Sequence, residues 1–212
     1  VFLSKIEDAM VCDIGGTTSD VGCLKNGFPR EANNVVEIGG VRTLFRMPDL
    51  HSIGLGGGSL VRDDPLQIGP LSVGYRLTEQ ALVFGGDSLT CTDIAVAAGL
   101  ADIGDSSRVA HLDGAFVKAA IARIHNMLYD AVDRMKTDAG DTPLLAVGGG
   151  AMLAPDQMAG ISQVVKVPHY DVANAVGAAI AQISGEVDRI FHDMSRDEVL
   201  AAATEMARQN AL

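Results

Sequence analysis

Between two apolar segments the chain carries the run Val11-Cys12-Asp13-Ile14-Gly15-Gly16-Thr17-Thr18-Ser19-Asp20-Val21-Gly22, which tightly limits how its flanks can be arranged. Ala9 to Ile14 reads as a buried strand and Val21 to Leu24 resumes strand character, so the glycines and hydroxyls between them predict a tight turn. The turn has the chemistry of an anion cradle. Gly15 and Gly16 let backbone N–H groups approach a phosphate with no Cβ in the way, and Thr17 and Thr18 add hydroxyl donors. Asp13, at the strand end, is placed to meet a cation or a water molecule. A Gly-rich turn of this kind also serves as an ordinary hairpin, so its meaning depends on what accompanies it.

Ala9 to Ile14, Ser19 to Leu24 and Asn33 to Val41 predict a three-stranded antiparallel meander, with Lys25-Asn26-Gly27 as its second turn. If the first turn centres on Thr17 and Thr18, Cys12 stands directly opposite Cys23. Cys12, Cys23 and Cys91 are too few and too scattered for a disulfide framework or a zinc site, and free packed thiols are expected. Residues 43–90 are richer in Gly and Pro and read as short strands and loops. From Thr90 the pattern turns helical, with Thr90 or Thr92 as N-cap. Apolar residues at intervals of three and four from Phe116 to Met135 predict one long amphipathic helix over 113–138. Pro143 to Val147 and Gln163 to Val167 predict short buried strands, the first ending in Gly148-Gly149-Gly150. A helix is expected from Asp171 or Asn174 through Ile183, a strand over Gly185 to Phe191, and a terminal helix opened by the capping-box sequence Ser195-Arg196-Asp197-Glu198.

Two further motifs have open readings. Gly56-Gly57-Gly58-Ser59 is either a second phosphate- or substrate-proximal loop or a bend where strands cross. Asp49 and His51, two residues apart on one strand face, are either a metal-ligating pair or hydrogen-bonded structure. The formal net charge of −11 opposes nonspecific binding to nucleic acid or to an anionic membrane, so an anionic ligand would rely on backbone dipoles and a metal ion. No apolar stretch reaches the roughly 20 residues that cross a bilayer, and the opening residues, with Lys5, Glu7 and Asp8, do not form a signal peptide; a cytoplasmic location is expected.

In order along the chain, the Asp-x-Gly-Gly-Thr turn at 13–17, the glycine cluster at 148–150 and the small-residue stretch Asn174-Ala175-Val176-Gly177-Ala178-Ala179 resemble the second nucleotide-binding lobe of the actin and sugar-kinase superfamily. With Ile53-Gly54-Leu55-Gly56-Gly57-Gly58-Ser59 and Gly69-Pro70-Leu71-Ser72-Val73-Gly74 added, residues 10 to about 185 resemble the ATP-dependent hydantoinase/oxoprolinase family, A-type subunit. That resemblance implies an α/β, ribonuclease H-like actin-superfamily ATPase lobe with a mixed sheet, an antiparallel meander and flanking helices. It implies ATP and Mg²⁺ as cofactors, phosphates held by Gly15, Gly16, Thr17 and Thr18, adenosine against Gly148, Gly149 and Gly150, and Asp13 as the acid that holds the metal or orients water. The implied substrate is a small cyclic amide or imide such as a hydantoin or 5-oxoproline, activated by phosphorylation of its carbonyl oxygen, and a B-type hydantoinase subunit is an implied partner. Other branches of the superfamily offer an alternative, a non-enzymatic ATP-binding switch acting through a protein partner.

Family members begin with another Asp-x-Gly-Gly-Thr turn in a first lobe, and no second copy occurs here. Residues 1–212 therefore read as a single domain, the second lobe alone, with 43–90 as a Gly/Pro-rich insertion, the first lobe as the missing partner and little activity expected of this piece by itself. The family's Pro-Gly-Pro-Ala-Cys-Tyr-Gly continuation is absent after Ser72, although Thr92-Asp93 keeps the Thr-Asp that usually follows.

Overall fold

The computed structural model describes residues 3–32, 37–38, 41–42, 47–181, 183 and 185–211. The chain divides into two compact units, Val1–Ala173 and Asn174–Leu212. The first unit contains β1 (Ala9–Ile14), β2 (Ser19–Lys25), β3 (Phe28–Pro29), β4 (Glu37–Ile38), β5 (Val41–Arg42), β6 (Leu50–Ile53), β7 (Ser59–Arg62) and β8 (Gln67–Ser72). These are followed by α1 (Leu77–Gln80), α2 (Cys91–Ala97), α3 (Gly114–Met135), β9 (Thr142–Val147) and β10 (Ile161–Val165). Helix α4 (Ala173–Ala179) begins at the last residue of that unit, and α5 (Arg196–Ala211) belongs to the second.

The main sheet runs β10-β9-β1-β2-β3, with β6 also paired to β2. β1, β9 and β10 are parallel, while β2 lies antiparallel to β1, β3 and β6, which gives the expected mixed α/β sheet. Period-two alternation puts Met10, Cys12, Ile14 and Val21 on one buried face. There they join one core with Val117, Ala120, Ile124, Leu128, Ala131, Val132 and Met135, the apolar stripe of α3. Each of the larger side chains stabilises this layer by roughly 1.5–3 kcal/mol. Asp113 caps α3 by accepting from Phe116 N at 3.0 Å, and the helix stops at Met135, three residues short of the expected end, where Lys136 turns extended.

Four expectations are corrected. Gly15 N donates to Thr18 O at 2.8 Å and closes a four-residue turn, so Ile14 pairs with Ser19 and the turn centres on Gly16 and Thr17. Cys12 then faces Val21, and Cys23 faces Met10. All three cysteines are free; burial, reinforced by nearby carboxylates, pushes the thiols of Cys12 and Cys91 up to about 12.

Second, the strand that follows the Asn26-Gly27 turn is β3, only two residues long, rather than Asn33 to Val41. Asn26 and Gly27 both have positive φ, the geometry that a two-residue hairpin turn requires. Pro29 has no N–H to continue the ladder, and the distant segment β6 pairs with the rest of β2. Of the expected third strand, residues 33–36 and 39–40 lie outside the described residues, and β4 pairs with β5. In the 43–90 stretch, β6 thus joins the main sheet, whereas β7 and β8 form a separate two-stranded ribbon.

Third, Gly185–Phe191 forms no strand; the Glu186 carbonyl accepts from Asn210 Nδ2 of α5 at 2.9 Å. Finally, α4 ends at Ala179, short of Ile183; residues 182 and 184 lie outside the described residues. The Ser195–Glu198 capping box does open α5. No helix of the described residues is long and apolar enough to cross a membrane.

Candidate functional site

The site lies where β1 and β9 end side by side. Their parallel register pairs Asp13 with Val147, so the Gly15–Thr18 turn and the Gly148–Gly150 cluster leave the sheet at neighbouring points. Gly150 N donates to Ile14 O at 2.7 Å, and Gly148 N to Tyr170 O at 2.7 Å. Gly148 has φ +88°, and a Cβ there would collide with the Asp13 carboxylate and the Ile14 carbonyl. A Cβ on Gly150 would press on Ile14 and Gly15, while Gly149 faces open space. Two of the three glycines are thus required by close packing on β1, and the third is exposed beside them.

The Gly56–Ser59 loop sits directly against the turn. Gly57 N donates to Gly15 O at 2.9 Å and Gly58 N to Gly16 O at 2.6 Å. A Cβ on Gly56 would come within 2.7 Å of the Gly15 oxygen, the Gly16 carbon and the Thr17 nitrogen. In a planar trans peptide the N–H points opposite to the preceding C=O. Turning the Gly15 and Gly16 carbonyls into the loop therefore turns the N–H groups of Gly16 and Thr17 away from it. Gly16, Thr17 and Thr18 are exposed, and among the described residues no protein acceptor takes their N–H groups. Two loose threonine hydroxyls flank these donors, as an anion cradle needs.

The loop's own N–H groups are spent internally. Gly56 N donates to Ser59 Oγ at 2.9 Å and Ser59 N to Gly56 O at 3.0 Å, leaving no donor of the four for a phosphate. Thr92 anchors the loop from behind: its N and its Oγ1 both donate to Gly57 O, at 2.8 and 2.9 Å. Thr92 has this freedom because Thr90 is the N-cap of α2, in a capping box with the buried Asp93. Asp93 accepts from Val83 N, Thr90 N and Thr90 Oγ1 at 2.7–2.8 Å. Ser72 reaches the turn from a third side, donating to Gly16 O at 3.4 Å and accepting from Gly74 N at 3.0 Å. The sequence places Ser72 in the Gly69–Gly74 segment and Thr92 near a helix start but gives neither a contact with the turn or the loop; both contacts bridge segments far apart in the chain, which local pattern does not reveal.

Asp13 is half-buried and directly opposite Asp20, whose carboxylate accepts a short hydrogen bond from the Ser52 hydroxyl. Both aspartates border a cavity of about 270 Å³ whose walls include Val11, Gly22 and Leu50. Asp49 lines the same cavity, but its carboxylate is already engaged by Arg30, and His51 does not line it. Arg30 donates to Asp49 Oδ2 from Nε at 3.0 Å and Nη2 at 2.9 Å, and Nη1 reaches the Met135 carbonyl at 3.2 Å. The Asp49 carboxylate is thus engaged in tying the start of β6 to the end of α3. Among the described residues no group of three or more His, Cys, Asp or Glu could hold a metal ion. Mg²⁺ needs no such cage, since one or two carboxylates with substrate phosphates commonly suffice, and Asp13 beside the cradle fits that pattern.

Residues 2–105 match the hydantoinase/oxoprolinase family. Among solved structures the chain is similar to nucleotide-free acetone carboxylase, from a study of ATP-dependent acetone carboxylation, with TM-score 0.69 and 20% identity over 97% of this chain and 35% of that one. It is also similar to the ATP-dependent caprolactamase from Pseudomonas jessenii, with TM-score 0.60 and 18% identity over 98% of this chain and 36% of that one. At these identities the likeness is one of fold. The chain spans about a third of the length of either protein. No curated protein sequence gives a significant match.

Proposed function

We propose, from the match of residues 2–105 to the hydantoinase/oxoprolinase family, that this chain is the second nucleotide-binding lobe of an ATP-dependent enzyme that opens small cyclic amides or imides. The observation that carries the proposal is the set of outward N–H groups at Gly16, Thr17 and Thr18, beside Asp13 and held in place by the Gly-rich loop. In this reading those N–H groups and the Thr17 and Thr18 hydroxyls bind phosphate oxygens, with Gly15 shaping the turn. Asp13 holds Mg²⁺ or its water, and the exposed face at Gly149, between Gly148 and Gly150, receives the adenosine. Gly56 to Ser59 act as the buttress that orients the turn rather than as a second phosphate loop. Asp49 and His51 serve structure.

When bound, Mg²⁺ would neutralise phosphate charge as the phosphoryl group moves to the amide carbonyl oxygen and makes its carbon open to attack by water. The lobe's own share is positioning: fixed N–H dipoles cost no reorganisation when charge develops. The opposite wall of the cleft and a B-type subunit belong to the remainder of the assembly. The test uses the complete protein that carries this chain, with MgATP and a panel of hydantoins, 5-oxoproline and lactams. Phosphate release that rises at least tenfold with one of these substrates is the expected result. Release that responds only to a protein partner would instead identify a switch.

A further inference from the structure

The cradle has one conspicuous deficit. Its donors are backbone dipoles, while Asp13 and Asp20 stand beside it and the chain as a whole carries a charge of −11. A side-chain cation would add charge-assisted hydrogen bonds to what backbone dipoles and a metal ion supply to a polyphosphate bound there. Five segments meet around the turn: 13–18, 56–59, 72–76, 90–93 and 148–150. They contain a single Lys or Arg, namely Arg76.

We propose that Arg76 binds an anionic oxygen of the terminal phosphates held by the turn, with its guanidinium steadied by Tyr75. The proposal rests on the phosphate-site reading and adds to it a residue outside every motif that led there. Gly74, at φ +58°, starts a helical run against the turn, and a Cβ built on it would lie 3.8 Å from Thr17 Oγ1. Ser72 Oγ bridges Gly74 N to Gly16 O, and Val73 N donates to Gly58 O at 3.0 Å, so this start is fixed to both the turn and its buttress. A single 3₁₀ turn covers Gly74–Arg76 and leads into α1. At about 2 Å of rise per residue, the Arg76 backbone is about 4 Å along the axis from Gly74. Side chains on a helical run lean toward its N-terminus, here the end that meets Thr17.

Arg76 is exposed, and no carboxylate among the described residues pairs with it. Its Cζ lies 6.0 Å from the centroid of the Tyr75 ring, which is 93% exposed. That cation–π contact limits the directions the guanidinium samples while leaving its donors open. A planar guanidinium can take two phosphate oxygens at once, which an ammonium cannot.

The test measures binding of ATP and AMP to the complete protein in the presence of Mg²⁺, for wild type, Arg76→Gln, Arg76→Lys, Tyr75→Leu and Asp13→Asn. Arg76→Gln is expected to weaken ATP at least tenfold while AMP stays within twofold, Arg76→Lys to recover part of the loss, and Tyr75→Leu to cost about threefold. Thermal melting within two degrees of wild type would show that these exposed changes leave the fold intact. ATP binding within twofold of wild type for Arg76→Gln, with Asp13→Asn impaired, would overturn this inference alone. Unimpaired ATP binding and turnover in both would overturn the phosphate-site reading, and the inference with it.

Discussion

Asp13→Asn, in the complete protein that carries this chain, is expected to lower ATP turnover by about 100- to 1,000-fold with the fold intact, as removal of one preorganised charge-stabilising group does elsewhere. The substitution changes charge and keeps shape. Asp13 is packed against the bare Cα of Gly148 and lies directly opposite Asp20, so an amide of the same size fits the space without moving β1 or β9. What it loses is the negative charge that would hold a divalent cation or turn a water molecule toward the phosphates. Steady-state phosphate release is the measurement, with circular dichroism and melting as controls. Turnover within threefold of wild type would remove Asp13 from the mechanism.

Gly148→Ala should be strongly destabilising. It places a methyl group where the Asp13 carboxylate and the Ile14 carbonyl already stand, at a φ of +88°. The left-handed conformation costs a non-glycine residue about 1–2 kcal/mol, and overpacking adds typically 1–3 kcal/mol. A total near 3 kcal/mol corresponds to a melting temperature lower by about 6–12 °C for a chain of this size. Gly149→Ala is the internal control, because nothing lies within 4 Å of its Cβ and its φ is not in the left-handed range. It should change stability by less than about 0.5 kcal/mol. Equal effects at the two positions would show that the packing of this cluster on β1 is not what selects glycine.

The contrast shows what a sequence of this kind discloses. β1 is legible to the residue because its alternation and its Gly-Gly boundary are local. The turn and the strand ends of β9 and β10 are legible to within one or two residues, because short apolar runs mark where a strand is buried but not where its pairing stops. The register of β2 is not legible. It follows from the Gly15–Thr18 hydrogen bond that closes the turn, and local composition permits other closures. Nor can local pattern find β6, whose four residues pair with β2 across some thirty positions of chain.

At the site, glycine clusters announce themselves but not their reasons. Gly148 and Gly150 are glycine because β1 occupies the space beside them, and Gly56 because the turn does. The Gly57 and Gly58 N–H groups, which in sequence looked available to a phosphate, are the donors that aim the Gly16 and Thr17 N–H groups instead. Each of these facts is a long-range contact between segments that are individually ordinary.

The backbone N–H groups of Gly16, Thr17 and Thr18 are expected to hold the phosphates of ATP. Amide hydrogen exchange of the complete protein, with and without MgATP, measures it at those three residues. The account predicts protection of all three on nucleotide binding, with little change at Gly57 and Gly58, which are already hydrogen-bonded. Unchanged exchange at Gly16, Thr17 and Thr18 under saturating MgATP would contradict it.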